Sequence, residues 1–145
     1  MAKFLKADIS QVDPYQLREH EINVFGAYGN LLEVIEKLFK ISDAYCLMID
    51  DEVISFAGIK PIWAGVGDIW QMPTINVSKH LVTYCKCTNL LLDQWWGKYA
   101  LHRMQTICLD DRIHNRWHKF LKFHKEGTLK HYGMGGEDYA LFARY

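Results

Sequence analysis

The chain has 145 residues, half of them apolar, and its 17 Lys and Arg balance 17 Asp and Glu. That size and composition predict one domain over residues 1–145 with a core of its own, and exclude linkers, repeats and low-complexity tracts. No uncharged apolar run is long enough to cross a bilayer and residues 1–6 lack a signal-peptide core, which predicts a soluble, intracellular protein with no membrane partner.

Residues 4–7 read as a first strand. Asp13-Pro14, with Gln16 as a capping-box partner, marks the start of a helix over about 14–23. After Gly26 and Gly29, Asn30 and Glu33 repeat the capping pattern ahead of Leu32, Ile35, Leu38 and Phe39 at helical spacing. This second helix ends near Ile41, with Lys37 and Lys40 at its negative end. From Ala44 the period changes: 44–49 and 53–59 read as a hairpin around Asp50-Asp51-Glu52. Pro61 and Gly65-Val66-Gly67 break it, and 68–72 reads as a third antiparallel strand.

Residues 78–99 supply a covering helix. Leu81, Cys85, Thr88, Leu92, Trp95 and Tyr99 fall on one stripe, with Ser78 or Asn76 as the cap. Residues 104–109 suit a buried strand, and Asp111 caps a helix from Arg112 to about Leu121. Residues 124–132 and 139–144 close the chain as a hairpin. In the helix after Asp111, Trp117 and Phe120 read as a buried face rather than a nucleic-acid stacking surface, so nucleic acid is not an expected partner.

The four cysteines, Cys46, Cys85, Cys87 and Cys108, sit in apolar segments without zinc-site spacing and read as buried thiols. His114 and His118 share a helical face with Asp110 or Asp111 nearby, but spacing fixes no third ligand, so no metal is expected. Charge is uneven: residues 1–52 hold five cations against ten carboxylates, net −5, and residues 97–131 hold eight against three, net +5. A basic C-terminal half attracts an anion such as a phosphorylated cofactor, nucleic acid or an acidic protein surface, and reads equally as a solvated helix face.

The order β-α-α-β-β-β-α-β-α-β-β resembles the GNAT superfamily of acyl-CoA N-acyltransferases. The best-matching part is residues 103–130, a strand, a polar turn, a basic helix, then Leu121-Lys122-Phe123 and Glu126-Gly127, with Lys122 where the family has glycine. The resemblance implies a mixed α/β (α+β) fold, a central mixed sheet of about seven strands flanked by about four helices. The segment His114-Asn115-Arg116-Trp117-His118-Lys119-Phe120-Leu121 also looks like the small GNAT-like proteins of short-tailed bacteriophages, one of which is described as an internal virion protein.

That resemblance implies an acetyl-CoA site and its residues. Gln71 and Met72 would orient the cofactor with strand backbone, and the turn leading into the central helix would receive its pyrophosphate through Ser78, Lys79 and His80. None of the family's glycines is present in that turn, Met72 to His80. Asp111 completes the cofactor-binding candidates. Asp68 matches the general base, although an Asp after Gly65-Val66-Gly67 also reads as a turn residue. His118 falls where a tyrosine commonly protonates the leaving thiolate, on what reads equally as a solvated surface.

Two functions follow. One is a phage GNAT-fold protein with weakened or lost acetyltransferase activity, working in virion assembly or as a virion or host-protein-binding component, in the host cytoplasm or packaged in the virion. The other is an active acyl-CoA-dependent N-acetyltransferase acting on a protein or small-molecule amine.

Overall fold

A computed structural model describes all residues, 1–145. The seven strands are β1 (Ala2–Lys6), β2 (Asp43–Ile49), β3 (Glu52–Trp63), β4 (Val66–Pro73), β5 (Arg103–Leu109), β6 (His124–Leu129) and β7 (Tyr139–Arg144). They form one mixed seven-stranded sheet, as the family resemblance implies, and the strands run in the order β1-β2-β3-β4-β5-β7-β6. β4 and β5 run parallel, and β1–β2, β2–β3, β5–β7 and β6–β7 are antiparallel. The four helices are α1 (Glu19–Gly26), α2 (Leu31–Ile41), α3 (Leu81–Lys98) and α4 (Arg112–Phe120). The chain divides into two compact units, residues 1–60 with 70–90, and residues 61–69 with 91–145.

In the first unit, α2 forms where its cap and apolar spacing predict it. Asn30 Oδ1 accepts the Glu33 N–H at 3.2 Å, and Ile35 and Phe39 are buried in a cluster with Leu17, Ala44, Cys46, Phe56 and Met72. Phe39 lies 5.3 Å from Phe56 and stacks on Trp70, whose indole N–H donates to Ser42 Oγ at 2.9 Å. α1 starts later than its capping signal. Asp13 does accept the Tyr15 N–H at 3.0 Å, but the result is a single 3-10 turn, Pro14–Gln16. Leu17 then turns extended, is buried, and bridges Thr74, because its apolar side chain gains more from the core than from continuing the helix. α3 has residues in both units; its buried side chains are Tyr84 and Thr88 in the first and Leu91, Leu92 and Trp95 in the second, whereas Leu81 is 57 % exposed, so the stripe begins one turn later than the sequence predicts.

In the second unit, β3 carries Pro61 within its exposed end, where a proline leaves no buried carbonyl unpaired. The turn into β4 is at Ala64-Gly65, not at Pro61. Gly65 has φ +82° and its carbonyl accepts the N–H groups of His102 and Arg103 at 2.8 and 3.1 Å. β7 lies between β5 and β6 and brings Ala140, Phe142 and Ala143 into a core with Met104, Leu121 and Phe123.

Candidate functional site

The candidate residues fall in two groups, one in each unit. In the first unit, Met72 is fully buried and Gln71 half-buried on β4. Between β4 and α3 the chain forms a 3-10 turn, Ile75–Lys79, and not an open loop. Thr74 begins it: its buried hydroxyl donates to Val53 O at 2.7 Å and accepts the Asn76 N–H at 3.2 Å. Thr74 caps this 3-10 turn, and Asn76 and Ser78 lie within it, so neither is the expected cap of α3, which begins at Leu81. The Asn76 side chain is buried and donates to Gln16 Oε1 at 2.9 Å and Val53 O at 3.2 Å, which also takes Gln16 out of its expected capping box.

The turn is closed on itself. Val77 N–H and His80 N–H donate to Thr74 O and Val77 O, and the Ser78 hydroxyl donates to Ile75 O at 3.4 Å. Lys79 Nζ lies 3.0 Å from Glu52 Oε2. His80 is half-buried and begins the first turn of α3 with its carbonyl accepting the Tyr84 N–H. A phosphate-receiving loop needs several free amides aimed at one point. Here the amides of Asn76, Val77 and His80 are used inside the turn, and no glycine lets the backbone approach a ligand.

Sequence reasoning missed a buried polar cluster in the same unit. Glu21 is buried and its carboxylate receives the Arg18 guanidinium, with Nε–Oε2 at 2.9 Å. The same unit buries Tyr84, pushing its phenol up to about 12, against the smaller opposing pull of Ser55, Arg18 and Thr88. It therefore stays protonated at physiological pH. The only available signal was an Arg-x-x-Glu spacing at a helix start, which is common on solvated helices.

In the second unit, Asp68 is half-buried inside β4, paired with Gln105 in the three-residue parallel ladder that begins at Val66–Arg103. It is a strand residue and not a turn residue. Asp111 acts as the predicted cap of α4, its Oδ1 accepting the His114 N–H at 2.8 Å and lying 2.8 Å from His114 Nδ1.

His118 is not on the surface. It is 6 % exposed, stacked on Phe142 with ring centroids 4.5 Å apart and edge-on to Phe123. Its Nδ1 lies 2.8 Å from the His114 carbonyl, which can only accept, so Nδ1 carries a proton. Burial lowers the pKa of the ring, so at neutral pH Nε2 holds a lone pair and no proton. Cys108 Sγ is 3.6 Å from Nδ1, but burial, then Asp111 and Asp110, push its thiol up to about 12, and no thiolate forms there. Trp117 and Phe120 also differ from expectation: Trp117 is half-buried and Phe120 is 50 % exposed, because α4 turns His114, His118 and Leu121 inward instead.

No family model and no curated protein matches the sequence. Solved structures match in shape. A ribosomal L7/L12 α-N-protein acetyltransferase in complex with coenzyme A superposes with a TM-score of 0.72 at 15% identity, covering 99% of this chain and 93% of that one. A probable acetyltransferase from Staphylococcus epidermidis gives 0.75 at 10% identity, over 99% and 98% of the two chains. The microcin C7 self-immunity acetyltransferase, in complex with acetyl-CoA and AMP, gives 0.71 at 13% identity, over 99% and 91%. The chain has the GNAT fold. Identities this low show the GNAT architecture alone. Lys122, which follows α4, adopts φ +68°.

Proposed function

We propose that this is a GNAT-fold bacteriophage protein in which acetyl transfer is weakened or lost, and which acts by binding protein, in virion assembly or as a virion or host-binding component. It would work in the host cytoplasm or be packaged in the particle. The observation that carries the loss of activity is the 3-10 turn before α3: Thr74 and Asn76 lock it to β3, the amides of Asn76, Val77 and His80 bond within it, and Lys79 is paired with Glu52. The residues present there do not fit a CoA pyrophosphate. His118 supports the same reading, since a buried neutral ring whose one N–H, at Nδ1, is donated to the His114 carbonyl has no proton to give a leaving thiolate. The phage assignment rests on the likeness of residues 114–121 to the small phage proteins.

The second reading is an active N-acetyltransferase with Asp68 as base, Gln71, Met72, Ser78, Lys79, His80 and Asp111 holding the cofactor, and His118 as donor. The coenzyme complexes among the structural neighbours favour it. Calorimetry with acetyl-CoA separates the two. The first reading expects no heat of binding at millimolar cofactor; micromolar binding that is abolished by Ser78→Glu would establish the second. Cosedimentation with purified virions, or recovery with one host protein in reciprocal pull-downs, tests the binding role.

A further inference from the structure

Three parallel rows of side chains run along α4, each at the i, i+4, i+7 spacing that keeps one helical face. His114, His118 and Leu121 form the row turned toward the body of the second unit, with His118 and Leu121 buried. Beside it run Ile113, Trp117 and Phe120, of which Ile113 is 78 % exposed and the two aromatic rings stack on one another, 5.9 Å apart and 18° from parallel. Outermost run Arg112, Arg116 and Lys119, all exposed, followed by exposed Lys122.

The cations of this helix differ from the others in the same unit. Arg103 is paired with Glu126, Lys125 with Asp110, Lys130 with Asp138 and Arg144 with Asp93. Arg112, Arg116, Lys119 and Lys122 enter no ion pair, and every nearby carboxylate is already engaged, Asp111 by His114 and Asp110 by Lys125 and Asn115. An apolar row exposed at Ile113 and Phe120, beside four unneutralised cations, calls for an occupant that offers anions and an apolar layer together.

We propose that the outer face of α4 docks this protein onto an anionic lipid surface. At the boundary between phosphates and acyl chains, a helix lying in the plane places Ile113, Trp117 and Phe120 in the apolar layer while the adjoining cations stay among the phosphates. A convex helical ridge meets a flat surface without reshaping. Single-stranded nucleic acid fits less well: the facing sides of Trp117 and Phe120 are closed by their own stacking, Ile113 offers nothing to a base, and no groove tracks a backbone. A symmetric second copy would set the cation rows of both chains against each other. Peripheral docking needs no spanning helix, and no helix here is long and apolar enough to cross a membrane. The site is independent of whether acetyl transfer survives.

The test is cosedimentation with extruded vesicles at low salt. Wild-type protein should bind vesicles of equal parts phosphatidylglycerol and phosphatidylcholine and not phosphatidylcholine alone. Partitioning should fall roughly fivefold for each cation removed, read with Arg116→Gln and Lys119→Gln, and should weaken as salt is added. Ile113→Ser with Phe120→Ser should weaken it as well, whereas Lys37→Gln on α2 should leave it unchanged; circular dichroism confirms that each variant is folded. Absence of wild-type binding to the anionic vesicles overturns the proposal. So does full retention of binding by the Ile113/Phe120 variant, an equal loss with Lys37→Gln, or tighter binding of a single-stranded oligonucleotide through the same residues.

Discussion

Asp110 is where three elements of the second unit are fastened by one side chain. Its carboxylate accepts from Asn115 Nδ2 at 2.9 Å, from Lys125 Nζ at 2.8 Å and from Thr128 Oγ1 at 3.2 Å, tying the end of β5 to α4 and β6. Asn115 first, then Lys125, hold its pKa down at about 2. A carboxylate depressed from an unfolded value of about 3.9 stabilises the fold above pH 4, and that contribution disappears as pH falls toward 2. Asp110→Asn should therefore lower the thermal midpoint at pH 7, and its difference from wild type should close between pH 4 and pH 2. His118 has the opposite chemistry and the same direction of dependence. Its folded pKa lies below the unfolded value of about 6.5, so the unfolded ring takes up a proton first and stability drops as pH falls through that range. Urea denaturation at pH 5 and pH 8 should show a smaller difference in His118→Phe than in wild type. His118→Ala, which empties the space against Phe142 and Phe123, should cost about 3 kcal/mol. If turnover is found and survives His118→Ala in the folded variant, no proton passes through this ring.

At the level of elements, the helix ends show which local signals were decisive. Lys122 follows α4 with φ +68°, its N–H donating to Lys119 O while Phe123 N–H donates to His118 O at 2.8 Å. That is a left-handed helix stop, the conformation that makes glycine the usual residue there. Lys122→Gly should raise stability by about 1 kcal/mol, measured by denaturant midpoint. A second close approach involves β3: a methyl group at Gly58 would lie 2.5 Å from the Trp70 indole. Gly58→Ala should displace that ring from Phe39 and cost about 2 kcal/mol. Caps with short-range partners, Asn30 on α2 and Asp111 on α4, were legible in the sequence because donor and acceptor lie three residues apart. Thr74 was not, since its hydroxyl is fixed by Val53, twenty-one positions away. Helix α4 was misread for a related reason. The sequence shows an apolar row and a histidine row of equal length, and only tertiary packing decides which one turns inward.

For the whole molecule, strand and helix order was legible because alternation and helical periodicity change at punctuated positions, and those alone define the architecture. The functional half was less so. The absence of glycine can be read from 72–80, but the turn formed there, sealed by contacts to Gln16 and Val53, depends on residues distant in the chain. Under the proposed loss of cofactor binding, glycines alone should not create it: Ser78→Gly with His80→Gly should leave the acetyl-CoA calorimetric signal unchanged while Thr74 and Asn76 still hold the turn. β7 is hydrogen-bonded to both β5 and β6, which do not pair with each other. Whenever residues 139–144 detach, each of those strands presents an unpaired edge to other chains. Substitutions that weaken β7 should therefore promote aggregation, read by light scattering on mild heating.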